Sequence, residues 1–524
     1  MRNEISGGAR RKLRLLQLTR DVRATPSFLR LINRIAWGKT EPRDGWASFD
    51  RTPWAHPWLT SDNIAAMREH GRALRHSVEG LRHKAGHYRY AFTGNIANGM
   101  YARAVGLRRQ GLAVDVILNP QDSFVMSHPV WEEYDGEMAD GTGLDISTFP
   151  GFQSRANSLD RVYSCGQDGN YPDHIAEALD YASVLDVVRW KEYFSHLPTY
   201  EFLQRYDAIL AAQFPYFAYL ARRPYLATQV GGDIWYECSR DDGYGRLQRA
   251  SFAAARAFLV SNPWSFAFAR RYGFKHLTYL PFILDDQIYR PGDPVYRAEW
   301  QRRIGGSFFV LSTARLDDYY KGSSLALDGF AQFAAGHPEA RLVLIGWGED
   351  LNRLRDRLAR LGIAERTLIL PVAGKRRLID YLRSADCLLG QFVLGYYGAA
   401  DIEAMACGLP IVMKLNRAQY DAFCEAGAPP VLDAGSAGQV ADRLASLASQ
   451  PDARRDLRAR HRQWFLDSHG ATRWGPVYAD FLVATASGHR FNFSDSPLRR
   501  PLSSAERQYH AEELAGAPVF PNYR

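Results

Sequence analysis

Three side chains in the second half of the chain have the types and spacing to handle a diphosphate ester: Arg315, Lys321 and Glu403. Arg315 and Lys321-Gly322 share one loop, after a predicted strand and before a predicted helix. Two cations beside a helix N-terminus can hold a diphosphate and can neutralise it as a leaving group without a metal. Glu403 lies in Tyr397–Pro410, YGAADIEAMACGLP, which reads as a loop, a short helix and a turn into a buried strand. Gly398 permits close backbone approach, and a helix starting at Ala399 and Ala400 offers free N–H groups to an anion. A carboxylate in its first turn can accept hydrogen bonds from two neighbouring ribose hydroxyls. Taken alone, the stretch equally fits an ordinary βαβ corner with Glu403 solvated. With Arg315 and Lys321 at a second strand's carboxyl end, all three face one crevice, and the set is far more specific than its parts.

The elements that must position these residues alternate strand and helix. In the first half, Tyr90–Thr93 runs through Gly94-Asn95 into a helix and the strand Ala113–Leu118, a βαβ unit without a GxGxxG fingerprint. Strands follow at Ala208–Ala212, Tyr225–Val230, Phe258–Ser261 and Leu277–Leu280. The turn Gly231-Gly232-Asp233 makes Asp233 a site candidate, or a cap of the next helix. Pro281–Pro291 reads as an interdomain hinge. The second half has strands at Phe308–Ser312, Arg341–Ile345, Thr367–Leu370, Cys387–Gly390 and Ile411–Met413, and so a second parallel sheet with helices on both faces. Residues 119–170 form a long irregular insertion, of the kind that serves as an acceptor loop.

The expected domains are a basic helical extension at 1–86, an N-terminal Rossmann-like domain at 87–285 and a C-terminal one at 286–472, a crossover helix at 473–487 and a tail at 488–524 without pattern. Within the extension, one helix is expected over 61–84. Another, at 26–37, has an apolar face (Phe28, Leu29, Leu31, Ile32, Ile35, Ala36) and basic flanks. It can cover the domain behind it or lie on an anionic membrane surface.

The 524 residues, 46% apolar and 23% charged, suit a globular protein with several cores. No stretch of 18 apolar residues and no signal peptide is apparent. The five cysteines lack CxxC spacing, which argues for a reducing, cytoplasmic compartment and against a structural zinc site. A net charge of +8 favours anionic partners, but no nucleic-acid motif accompanies it.

Arg315…Lys321-Gly322, Gly346-Trp347-Gly348 and Glu403–Pro410 together resemble the retaining glycosyltransferases of GT-B fold and family 4 type, the glycosyl transferases group 1. The likeness runs over residues 88–484 and is strongest in 305–415. It implies two facing Rossmann-like domains with parallel sheets, with a UDP- or GDP-linked sugar held mainly by the second. It further implies no cofactor or metal, and transfer to a glycan or lipid-linked acceptor in cell-surface polysaccharide or glycoconjugate synthesis. Gly94, Asn95, Gly346, Gly398, Ala399 and Ala400 fall where the family binds the donor, and Val372 and Ala373 where backbone groups meet the base. Two features depart from the pattern. The first of the family's two glutamates, eight positions before Glu403, falls on Gly395, whose missing side chain is expected to leave space beside the sugar. The histidine often found after the strand at Ala208–Ala212 is also missing, with Gln213 in that region. Tyr396, Tyr397, Asp401 and Asp233 are the remaining candidates for sugar or acceptor contact. The alternative is a catalytically silent GT-B protein that keeps only the nucleotide site.

Overall fold

The computed structural model describes residues 53–118, 127–138, 151–165, 197–240, 243–348 and 350–513. The expected helix at 26–37 and much of the 119–170 insertion lie outside the described residues.

Two parallel sheets build the molecule. The first has seven strands: β1 (Tyr90–Thr93), β2 (Val114–Leu118), β3 (Val162–Ser164), β4 (Ala208–Ala212), β5 (Tyr225–Thr228), β6 (Phe258–Val260) and β7 (Leu277–Tyr279), in the order β3-β2-β1-β4-β5-β6-β7. The second has six: β8 (Phe308–Ser312), β9 (Ala340–Ile345), β10 (Thr367–Leu370), β11 (Cys387–Leu389), β12 (Ile411–Met413) and β13 (Leu432–Asp433), in the order β10-β9-β8-β11-β12-β13. Strands such as β1, β4 and β8 are buried along their whole length, as expected where helices cover both faces. The short edge strands β3 and β13 escape sequence reading because three and two residues, none of them fully buried, carry no apolar run.

The helices that matter to the site, in chain order, are α1 (Ser61–Val78), α2 (Gly99–Arg109), α3 (Pro129–Glu133), α4 (Ser323–Gly336), α5 (Lys375–Ser384), α6 (Ala399–Ala406), α7 (Arg417–Phe423), α8 (Pro451–His469), α9 (Ala471–Ala486) and α10 (Ser504–Glu513). The helix expected over 61–84 ends instead at Val78, because the chain turns at Gly80 with φ +85° and continues as a 3-10 helix. Its buried stripe is Ile64, Met67, Gly71, Leu74 and Val78.

Several elements tie the two sheets together. From α1, Arg72 and Arg75 pair with Glu425 just beyond α7. Helix α9 follows the second domain in sequence yet packs on α2 and β4, and Tyr478 on it donates to the Pro281 carbonyl at 2.7 Å. The chain after Ser487, expected to lack structure, returns to the first domain. There the buried Arg270 pairs with Glu506 of α10 at 2.7 Å and donates to the carbonyls of Leu498 and Arg500. A buried guanidinium needs such partners, which fixes the tail in place.

In both sheets the strand order reverses beside the first strand, at β1/β4 and at β8/β11. The loops leaving β1, β8 and β11 therefore open into crevices at the carboxyl ends of the strands, where open α/β sheets bind ligands.

Candidate active site

A cleft between the sheets has two lobes that share Ala97, Val230, Arg315, Lys321, Gly398 and Ala399. The lobe where the donor is expected, the donor lobe, about 470 Å³, lies mainly in the second domain, and the other lobe, about 500 Å³, extends along the first.

Arg315 and Lys321 stand on the β8–α4 loop and reach both lobes. Lys321 donates to Gln391 Oε1 at 2.9 Å, and burial lowers its pKa while Asp401 acts in the opposite sense. Arg315 pairs with Asp317 and lies over the Tyr320 ring. Gly398, Ala399 and Ala400 bring the start of α6 to the same floor. Two cations and the positive end of a helix thus converge, as a diphosphate requires.

Asp401 lines the donor lobe, but it is buried and accepts the Gly398 N–H at 2.8 Å, so it caps its own helix. Burial pushes its carboxyl up to about 6. Glu403 lies in the second turn of α6, not the first, and Lys375 at the start of α5 already holds its Oε1 oxygen. The lysine ammonium also sits 4.7 Å from the centroid of the Trp131 ring, which belongs to the first domain.

Other expected site residues are placed differently. Gly94 and Asn95 do not line the cleft. Gly94 has φ +80° and a Cβ there would meet the Ala212 carbonyl, while the Asn95 amide is buried against Asn98 and Ser127. They shape the turn that presents Ala97, which itself has φ +49°. Gly346 donates its N–H to Leu370 at the sheet, and its neighbour Trp347 lines the donor lobe instead. Asp233 is buried and accepts N–H groups from Val230, Gly231 and Ile234, so it forms the turn and does not face a ligand. Burial pushes its carboxyl up to about 7. Tyr396 and Tyr397 line the second lobe; Tyr396 packs against Trp235 and Trp264, and the Tyr397 hydroxyl lies 3.3 Å from His469 Nε2.

Gly395 packs against the Asn416 side chain. It has φ +68°, and a Cβ there would lie 2.7 Å from Asn416 Nδ2. It lines neither lobe, so the expectation of extra room beside the sugar does not hold.

Part of the insertion also contacts the second domain. Residues 129–138 dock on the second domain: Met138 N–H donates to the Val372 carbonyl at 2.7 Å, Gly374 N–H to Gly136 at 2.9 Å, and Arg376 N–H to Tyr134 at 3.0 Å. The Trp131 indole donates to the Ala373 carbonyl at 2.8 Å. Val372 and Ala373 line the donor lobe as expected, and the carbonyl of each also accepts a hydrogen bond from the first domain. Trp131, Lys375 and Gln391 went unread in the sequence: Trp131 is brought in by the other domain, and no local motif marks Lys375 or Gln391. The one available signal was Lys375 directly after Gly374 in the base-side loop.

Among the described residues no cluster of three metal-ligating side chains is present, and no helix is long and apolar enough to cross a membrane.

The family model for glycosyl transferases group 1 matches residues 297–464. The mannosylfructose-phosphate synthase of Agrobacterium fabrum is 32% identical over 158 residues, 28% of this chain and 35% of its own length. A D-inositol 3-phosphate glycosyltransferase of Acidothermus cellulolyticus is 30% identical over 182 residues, 32% of this chain and 40% of its own length. The chain thus spans well under two thirds of these relatives. In structure it is similar to Anabaena HepE, solved with UDP and glucose, at a TM-score of 0.53 and 15% identity over 76% of this chain and 99% of that one. The two parallel Rossmann-like sheets and these likenesses agree: the chain has the GT-B fold, and residues 297–464 of its second domain match the model of the glycosyl transferases group 1.

Proposed function

We propose that the protein transfers a sugar from a UDP- or GDP-linked donor to a hydroxyl of a glycan or lipid-linked acceptor, in cell-surface polysaccharide or glycoconjugate synthesis. The observation that carries this reading is the convergence of Arg315, Lys321 and the α6 N-terminus on the floor of one interdomain cleft. The acceptor oxygen attacks the anomeric carbon, and the bond to the β-phosphate oxygen breaks. The charge that develops on the leaving diphosphate is met by fixed positive groups, the form of catalysis that costs least reorganisation. Glu403 reads the ribose. The second lobe, bordered by Tyr236, Trp264 and Tyr396, receives the acceptor. The family's retaining outcome and a metal-independent reaction belong to the same proposal, since two cations take the place of a metal.

One observation favours a second reading, that of a nucleotide-binding protein without turnover. No carboxylate stands at Gly395, and the φ of +68° there disfavours any side chain.

Thermal shift with a panel of nucleotide sugars, followed by EDTA-treated turnover assays, separates the readings, because stabilisation follows affinity by mass action. The proposal expects one UDP- or GDP-sugar to stabilise the protein and to release its nucleoside diphosphate without added metal. Stabilisation without release supports the second reading. No stabilisation by any member refutes both.

A further inference from the structure

We infer that Lys375 is a positioning residue for the donor ribose: it holds Glu403 in place, and Trp131 of the other domain holds Lys375. The inference rests on reading the cleft as the donor site.

All three side chains line the donor lobe. Glu403 is 6% exposed and Lys375 7% exposed, so their ion pair is almost fully withdrawn from water. The diphosphate does not call for this lysine, because Arg315, Lys321 and the α6 N-terminus already serve it. Lys375 engages the Oε1 oxygen of Glu403 and leaves Oε2 without a protein partner among the described residues. The carboxylate is thus fixed in direction with one oxygen free to accept from a ribose hydroxyl. A buried carboxylate without a cation would be costly, all the more beside the acidic groups of Glu132 and Asp401, with which it interacts.

The lysine is aimed in turn from across the domain boundary. Its ammonium lies on the Trp131 ring, and the Trp131 indole is tied to the Ala373 carbonyl. Residues 129–138 fix that tryptophan through the backbone bonds from Met138, Gly136 and Tyr134 to the loop 372–376. Arg376 with Glu133 and Tyr381 with Glu137 reinforce the contact. The nucleoside end of the donor site is therefore assembled by both domains, and a chain of contacts, Trp131 to Lys375 to Glu403, links closure of the domains to readiness for ribose.

Calorimetry with two probes tests this. One is UDP or GDP, whichever the wild type binds more tightly; the other is inorganic pyrophosphate, which has the charge but no ribose. Lys375→Met should weaken nucleotide binding roughly tenfold to a hundredfold and leave pyrophosphate within about threefold, the scale of one charge-assisted contact. Lys375→Arg should restore most of the loss. Trp131→Phe keeps the ring but loses the bond to Ala373; it should weaken the nucleotide in the same selective way, and it decides the matter if Lys375→Met does not fold. A parallel loss of both probes would reduce Lys375 to a structural residue and overturn the inference while the donor-site reading stands. Tighter nucleotide binding in Lys375→Met would also overturn it, by showing that the lysine competes with ribose. Failure of the wild type to bind either probe would remove the donor-site reading and the inference with it.

Discussion

Gly395 and Asn416 are locked together: the Asn416 N–H donates to the Gly395 carbonyl at 2.9 Å, and a Cβ on Gly395 would lie 2.7 Å from the Asn416 side-chain nitrogen. With φ +68°, Gly395 also occupies a backbone region that side chains resist. Asn416 precedes α7, the helix against which α1 packs, so the strain would reach an interdomain contact.

Restoring the family's glutamate should therefore harm the protein. Gly395→Glu is expected to lose about 1–2 kcal/mol from backbone strain alone, a fall of a few degrees in Tm, with no gain in turnover. Scanning calorimetry with a donor-release assay checks this; a variant that melts like the wild type and turns over faster would show that the loop accepts a carboxylate after all.

Lys321→Ala and Arg315→Ala should each weaken donor binding by about 1.5–3 kcal/mol without unfolding the protein. Lys321 is the more enclosed of the two and bonds only Gln391 among the contacts described, whereas Arg315 is half-exposed and shared with Asp317. The lysine variant should therefore lose more. Calorimetric donor affinities at the wild-type level in both variants would refute the placement of the diphosphate.

Much of this architecture was readable in the chain, and the limits of the reading have physical causes. Continuous apolar strands such as Ala208–Ala212 and Phe308–Ser312 announce themselves, and helix-start chemistry at Gly398–Ala400 marks the anion site. What escaped is long-range. Lys375 meets Glu403 across 28 residues and Trp131 meets Ala373 across 242, and no local pattern encodes either contact. Asp233 and Asn95 misled for a related reason: a polar side chain beside a glycine turn can face the ligand or satisfy its own backbone, and here both do the second.

Glu132 should make a contribution to stability that falls as pH rises from acid to neutral, opposed by buried histidines such as His276 and His469, whose pKa burial lowers to about 4. Burial pushes the Glu132 carboxyl up to about 7 from an ordinary 4.5, with Glu403 and Glu133 adding to the shift and Lys375 and the Tyr289 hydroxyl opposing it. Between these values the folded protein holds a proton that the unfolded chain has lost, so the slope of this contribution with pH is negative. The contribution is complete below about 4.5 and gone above about 7, and it amounts to about 3 kcal/mol as an order of magnitude. Asp233 and Asp401 shift in the same direction and share the slope. In urea denaturation the stability of Glu132→Gln relative to the wild type should be greater at pH 8 than at pH 5; equal relative stabilities would mean that Glu132 does not titrate in this range.

The site should depend on the nucleotide more than on the sugar. The groups that converge on the floor of the cleft are suited to phosphate and ribose: Arg315, Lys321, the α6 N-terminus and Glu403. The carboxylate that would grip sugar hydroxyls is absent at Gly395, and Asp401 is already committed to the Gly398 N–H. Tyr396 and Tyr397 border the second lobe with aromatic rings, which discriminate less sharply than a charged acceptor. A nucleoside diphosphate should thus bind within about tenfold of its sugar conjugate, a gap of about 1.4 kcal/mol. Calorimetry with both ligands on one preparation measures the gap directly. If one nucleotide sugar binds a hundredfold more tightly than its nucleoside diphosphate, other groups must read the sugar, and Gln391, Tyr396 and Trp347 on the cleft wall would be the first to replace.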